Sequence, residues 1–412
     1  MNAPRPLMSL DEALERLVAG AAAAAIAQTE QVSTFEALGR VLAEDVGSGL
    51  DVPPADNTSM DGYAVRCAEL TMPGTVLPVS QRIPAGTVGQ PLQPGTVARI
   101  FTGAQVPPGA DAVVMQEQCV PVDGGAVRID ATPTPGQWIR RRGEDITTGS
   151  TVLSRGTRLT PQALGLAAAV GRASLTVLRR PRVAVFSTGD ELAMPGEPLK
   201  PGGIYNSNRF TLRGVLQAVG CEVQDLGIVP DRLGATREAL RTAAAANDLI
   251  VTSGGVSVGE EDHLRPAMLA EGRLDLWQIA MKPGKPLAFG AVRRGTDGEA
   301  LIVGLPGNPV SSWVTCLLAV LPLLRALQGM PNSAPHAVAV RADFDWPKPD
   351  RRREFLRARF NAAGGVELFP NQSSGVLTSA VWADGLVDVP SGQAIRRGDT
   401  VHFLSTTELM SR

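Results

Sequence analysis

Ser253-Gly-Gly-Val-Ser-Val-Gly259 follows the apolar, strand-like run Leu249-Ile-Val251, and this pairing of strand and glycine loop decides the fold. The same arrangement recurs twice. Lys282-Pro-Gly-Lys285-Pro286 follows Leu276-Trp-Gln-Ile-Ala280, and Gly304-Leu-Pro-Gly-Asn-Pro309 follows Leu301-Ile-Val303. Glycine lets backbone N–H groups approach a ligand with no side chain in the way. Lys282 and Lys285 add positive charge, and Asp262 supplies a hard oxygen suited to a divalent cation. Any one loop alone reads better as an ordinary turn. Three of them after three strands point to a phosphorylated ligand bound together with a metal.

Outward from these loops, strand and helix alternate. Arg182–Ser187, Glu222–Val229 and Leu249–Thr252 read as strands, and Arg209–Val219, Ala235–Ala246, His263–Ala270 and Val310–Leu327 as helices. Such alternation predicts a central, mostly parallel α/β sheet covered on both faces, with ligands at the carboxyl ends of its strands. Toward the N-terminus, Ser9-Leu-Asp-Glu12 has capping-box form and opens a helix. Ser33-Thr-Phe-Glu36 predicts a second helix, running through Leu42. Residues 56–144 change to short alternating runs divided by glycine and proline, a β-rich pattern. Helical character returns at Thr160-Pro161 and stops at Gly171. The expected division is therefore a helical domain from residues 1–55 and 145–179, an inserted β-rich domain at 56–144, an α/β domain at 180–330, and a small β domain at 331–412.

Composition excludes several functions. The 412 residues carry a net charge of −2, from 39 basic and 41 acidic side chains, so no global basic field invites nucleic acid. Four scattered cysteines without a C-x-x-C pair fit neither a zinc site nor a disulfide framework and point to a reducing, cytoplasmic setting. Three unpaired histidines argue against a histidine-built metal centre and against acyl chemistry. The apolar run Val310–Leu327 contains Ser311, Ser312, Pro322 and Arg325, which argues against a membrane span.

Other polar clusters extend the site. Ser187-Thr-Gly-Asp-Glu-Leu192 ends a strand with two carboxylates, and Tyr205-Asn-Ser-Asn208 opens a helix as caps or ligand contacts. Asp61 sits beside Gly62, and Thr102-Gly103 follows an apolar run. Arg140-Arg-Arg-Gly-Glu-Asp145 groups arginine forks suited to oxyanions. Arg351-Arg-Arg353 and Ser373-Ser374 are further candidates. The loop at 253–259 is neither G-x-G-x-x-G nor a P-loop. A helix N-terminus contributes only roughly 0.3–2 kcal/mol toward an anion, whereas a nanomolar ligand needs about 12 kcal/mol. The lysines, a metal and an apolar ring pocket must share the binding.

In their order, NTSMDGYAV (57–65), FTGAQVPPGADAVV (101–114), RRRGEDI (140–146), STGDEL (187–192), SGGVSVGEED (253–262), MKPGKP (281–286) and GLPGNPVSS (304–312) resemble the molybdopterin molybdenumtransferase family, which includes the C-terminal part of gephyrin. The resemblance implies an elongated helical domain with an inserted β domain, a central α/β domain like the molybdopterin adenylyltransferases, and a C-terminal β-barrel. It implies a homodimer whose sites join the α/β domain of one subunit to the inserted region of the other. The implied reaction inserts molybdate into the dithiolene of adenylylated molybdopterin and releases AMP, with a divalent cation such as Mg²⁺.

Carried over motif by motif, Asp61, Glu191, Asp231, Asp262, Lys282 and Lys285 are the catalytic candidates. Glu191, Asp231 and Asp262 are assigned to the metal or the leaving AMP. Thr102, Arg141, Asp145, Ser253, Gly254, Gly255, Ser257, Pro306, Pro309, Arg352 and Ser374 are the substrate-binding candidates. Where the family often has a second acid after Asp231, this chain has Arg232. Two alternatives share the fold: adenylyl transfer to molybdopterin, and a non-catalytic peptide-binding scaffold. The retained acids and lysines weigh against the scaffold.

Overall fold

The computed structural model describes residues 7–256, 263–295, 298–331 and 334–411. Ser257 and Asp262, two of the site candidates, lie outside the described residues. The fold is multidomain α/β with mixed sheets.

Its centre is a six-stranded sheet formed by β1 (Arg182–Thr188), β2 (Glu222–Val229), β3 (Leu249–Ser253), β4 (Gly272–Gln278), β5 (Pro286–Arg293) and β6 (Glu299–Leu305), in the order β2-β1-β3-β6-β5-β4. The strands β2, β1, β3 and β6 are parallel. The chain between one parallel neighbour and the next is long in every case, as parallel pairing requires. The expectation of a mostly parallel sheet holds over these four strands and gives way at the other edge. There β5 runs antiparallel to both β6 and β4, so the sheet is mixed. Short connections around Gly284 and Gly295 reverse the chain without a crossover helix. Two reversals leave β4 pointing the same way as β6. All three glycine loops therefore emerge at one edge of the sheet.

Period-two alternation explains why both faces are covered. Val183, Val185, Val251 and Val303 face one core, built with α1 (Leu10–Ala23), α3 (Ser207–Ala218) and α6 (Pro309–Leu327). Ala184, Phe186, Ile250 and Ile302 face a second core beneath α4 (Leu233–Ala246) and α5 (Leu264–Glu271). The helix α6 is long and apolar enough to cross a membrane by length and composition, yet 83% of that window is buried in the first core. Its middle, Cys316–Val320, winds as a π-helix.

The Ser9 hydroxyl accepts from Glu12 N–H at 3.2 Å and the Glu12 carboxylate from Ser9 N–H at 3.2 Å, the reciprocal capping box read in the sequence. The second expected helix, from Ser33 to Leu42, does not form. Thr29–Ser33 is instead a strand antiparallel to Ser174–Leu178, and only a 3₁₀ turn, Thr34–Glu36, follows. Long-range pairing overrides the local cap signal, and Gly39, at φ 73°, stops any continuation. A single helix, α2 (Pro161–Ala169), occupies the returning segment, capped by Thr160.

Residues 62–129 carry a second six-stranded sheet, in the order 112–115, 62–65, 97–100, 75–83, 126–129, 119–122. The chain entering and leaving it runs side by side. Val46–Gly47 pairs with Thr151–Leu153, and Asn57–Thr58 with Ile139–Arg140. After residue 334, strands Val338–Arg341, Arg353–Phe360, Val366–Leu368, Gly385–Val389 and Thr400–Ser405 form a third sheet. Met281–Lys282 of the α/β segment joins it, parallel to Arg353–Glu354.

Candidate active site at the carboxyl edge of the central sheet

A cavity of about 960 Å³ opens where β1, β3 and β6 end and β5 begins. Ser253, Gly254 and Gly255 form part of its floor. Gly254 and Gly255 adopt φ 87° and 65°, and a Cβ on Gly254 would lie 2.5 Å from the Thr188 carbonyl oxygen. Only glycine fits this turn. Gly254 N–H donates to Leu305 O at 3.1 Å, which locks the first loop to the end of β6. The Ser187 and Ser253 hydroxyls, both buried, are 2.9 Å apart and tie β1 to β3 beneath the floor.

Pro306 and Pro309 frame the third loop, and Asn208 Nδ2–H donates to Gly307 O at 2.7 Å, fastening α3 to it. Asn206 both caps α3, accepting from Arg209 N–H at 3.2 Å, and lines the cavity. Glu191 and Asp231 also line the wall. The carboxylate of Glu191 lies over Gly189, where a Cβ would meet it at 2.5 Å. Asp190 ties the loop after β1 to the loop after β2, its Oδ1 accepting from Asp231 N–H at 3.1 Å.

Another part of the lining is cationic and comes partly from the C-terminal sheet. Lys282, Lys285, Arg352 and Ser374 all face the cavity. Ser374 O accepts from Val310 N–H at 3.0 Å, which brings it against the start of α6. Arg352 grips Asp350 with a fork, Nε to Oδ1 at 3.0 Å and Nη2 to Oδ2 at 2.8 Å. That guanidinium holds the Asp350 carboxyl well below the usual carboxylate range, and Asp350 in turn raises Arg352. Lys282 Nζ stands 2.9 Å from Glu354 Oε1 and 3.5 Å from Asp350 Oδ2. Sequence reasoning missed Asp350 and Glu354. The signal available was the mixed-charge run Asp350-Arg-Arg-Arg-Glu354, whose arginines drew all the attention.

Four candidates do not reach this cavity within their own chain. Asp61 and Thr102 stand at adjacent strand ends of the second sheet. Asp61 Oδ1 accepts the Thr102 hydroxyl at 2.7 Å and its backbone N–H at 2.8 Å. The Thr102 hydroxyl is the main reason the Asp61 carboxyl is lowered. Arg141 pairs with Asp56 at 2.7 Å. The backbone N–H of Asp145 donates to Val52 O at 3.0 Å, leaving its side chain exposed. Among the described residues no three histidine, cysteine, aspartate or glutamate side chains gather as a metal site.

A mixed α/β sheet with anion-ready loops on its carboxyl edge, completed by a β-rich C-terminal unit, defines a multidomain α/β protein with a site suited to an anionic ligand. Residues 184–326 match the family described as a probable molybdopterin binding domain, residues 8–171 the MoeA N-terminal region (domain I and II), and residues 339–405 the MoeA C-terminal region (domain IV). A molybdopterin molybdenumtransferase of Haemophilus influenzae is 43% identical over 346 residues, covering 83% of this chain and 84% of the relative. Molybdopterin molybdenumtransferase 2 of Mycobacterium tuberculosis is 43% identical over 394 residues, covering 92% and 93%. The crystal structure of the molybdopterin biosynthesis MoeA protein from Pyrococcus horikoshii superposes with a TM-score of 0.83 at 29% identity, covering 97% of this chain and 100% of that one. The chain belongs to the molybdopterin molybdenumtransferase family, a family of transferases in molybdenum cofactor biosynthesis.

Proposed function

We propose that this chain inserts molybdate into the dithiolene of adenylylated molybdopterin, releasing AMP and yielding molybdenum cofactor. One observation carries the reading: Lys282, Lys285, Arg352 and Ser374 share a single cavity with Glu191, Asp231 and the Gly254–Gly255 turn. The substrates are a phosphoanhydride and a dianionic oxyanion, and this donor set suits both. The Gly255 N–H of the glycine turn, the Gly254 N–H being taken by Leu305 O, and the two ammonium groups hold phosphate oxygens. The Nη1 edge of Arg352, outside its fork to Asp350, and the Ser374 hydroxyl offer donors to molybdate. Pro306 and Pro309 give the pterin an apolar, rigid edge.

Glu191 and Asp231 present hard oxygen donors in the same cavity as the lysines, a set that fits Mg²⁺, which takes one or two carboxylates plus substrate phosphates. They would hold the ion, with Asp262 as a third candidate outside the described residues. Bound there, Mg²⁺ supplies charge neutralisation for the departing AMP phosphate.

Asp61, Thr102, Arg141 and Asp145 enter this reading through a homodimer, in which each cavity is completed by the second sheet of another copy. The four-unit division at 1–55 with 145–179, 56–144, 180–330 and 331–412, the last as a β-barrel, goes with that assembly. So does a cytoplasmic setting, where the four free thiols are stable.

Incubation with adenylylated molybdopterin, molybdate and Mg²⁺ tests the activity. AMP release that depends on molybdate is expected. Formation of adenylylated pterin from ATP without such release would instead favour adenylyl transfer, and absence of both would favour the scaffold.

A further inference from the structure

The cationic wall conceals a carboxylate that no motif assigned. Glu354 is only 1% exposed, and a buried charge is costly unless it is paired and hydrogen-bonded. Its surroundings answer both needs. Oε2 accepts from Trp346 Nε1–H at 3.0 Å and from the backbone N–H of Asp350 at 2.9 Å. Oε1 stands 2.9 Å from Lys282 Nζ as an ion-pair contact, with no aligned hydrogen bond of its own. Lys282 and Glu354 are also register partners where the α/β segment joins the C-terminal sheet. Backbone pairing and side-chain pairing thus fix the same lysine.

The neighbouring acid is committed elsewhere, since Asp350 is held by the Arg352 fork and approaches Lys282 only to 3.5 Å. Glu354 is therefore the carboxylate dedicated to Lys282. An ammonium has three donors, and one directed at Glu354 leaves others for the cavity.

We propose that Glu354 is the positioning residue for Lys282, holding its ammonium at the cavity wall and making that position depend on the C-terminal sheet. This rests on the reading of Lys282 as an oxyanion-binding group.

Glu354→Gln separates positioning from simple support. The amide oxygen keeps the acceptor toward Trp346 and Asp350, while the NH₂ turns to Lys282 and abolishes the ion pair. In molybdate-dependent AMP release, the expected result is a KM for adenylylated molybdopterin raised roughly ten- to a hundredfold, the range of one charge-assisted hydrogen bond to a phosphate oxygen, with kcat changed less than about threefold. In a Lys282→Gln background the same substitution should add less than about twofold, because its route is already cut. Trp346→Phe, a milder variant that removes one bond orienting Glu354, should raise KM several-fold with the same dependence on Lys282. Wild-type KM in folded Glu354→Gln, or an equal penalty with and without Lys282, overturns the proposal. If Lys282→Gln alone leaves KM unchanged, the oxyanion role of Lys282 falls and this inference falls with it. A loss in Lys282→Gln but none in Glu354→Gln removes only the inference.

Discussion

Complementation between two inactive variants tests whether one catalytic site draws on two chains. Asp61 and Thr102 hold each other at 2.7 and 2.8 Å but do not line the cavity that contains Lys282 and Lys285 in their own chain. Asp61→Asn and Lys285→Gln would then damage opposite halves of each shared site. Each alone should lower kcat roughly 10²–10³-fold, the cost of removing one preorganised polar group from a reacting centre. Refolding the two variants together at equal amounts gives roughly half heterodimers by random pairing in a two-fold assembly. In every heterodimer one site carries both lesions and the other carries none. Mixed protein should therefore recover about one quarter of wild-type AMP release, and a heterodimer purified through two different tags about one half. Mixing without refolding, on a timescale shorter than subunit exchange, should recover nothing. Activity of the purified heterodimer no greater than the two parent variants would refute the shared site. The residues of the second sheet would then have to serve some other purpose.

Two further substitutions probe the frame that carries the cavity. Asp248 takes a bidentate grip from Arg179, at 2.7 Å from both Nη1 and Nη2, plus the Arg182 N–H at 2.9 Å at the entry to β1. Burial raises its carboxyl, but these bonds outweigh it and the net shift is downward. A lowered folded-state value stabilises the protein above the unfolded value near pH 4 and stops doing so as pH falls through the folded one. Asp248→Asn should therefore cost about 2–4 kcal/mol in urea unfolding at pH 7 and progressively less below pH ~4; a cost independent of pH would contradict this. Gly254→Ala forces a left-handed residue, roughly 1–2 kcal/mol, and overlaps the Thr188 carbonyl. Activity should drop more steeply than melting temperature, measured by calorimetry, because the displaced loop is the cavity floor.

The central sheet was legible because burial on both faces writes itself as unbroken apolar runs, and β1 and β3 carry them. The loops were legible because each follows such a run. What failed has a common cause, the action of residues far away in sequence. Ser33 still caps a turn, accepting from Phe35 N–H at 3.3 Å, but pairing with residues 174–178 takes the preceding segment as strand. The direction of β5 depends on connections too short for a helix, which periodicity does not register.

The arginine run is the sharpest case, because three adjacent and chemically identical side chains receive three different environments. Arg353, the first residue of its strand, is drawn away to Asp388 at 2.8 Å and Asp11 at 2.9 Å. Arg352, one residue earlier, turns the other way, to Asp350 and the cavity. Arg351 stays exposed. Which arginine serves the ligand is therefore decided by where the strand begins. That point is in turn fixed by the pairing of Arg353–Glu354 with Met281–Lys282. The same short pairing selects Arg352, buries Glu354 and aims Lys282, so the chemistry of the cationic wall follows from one register.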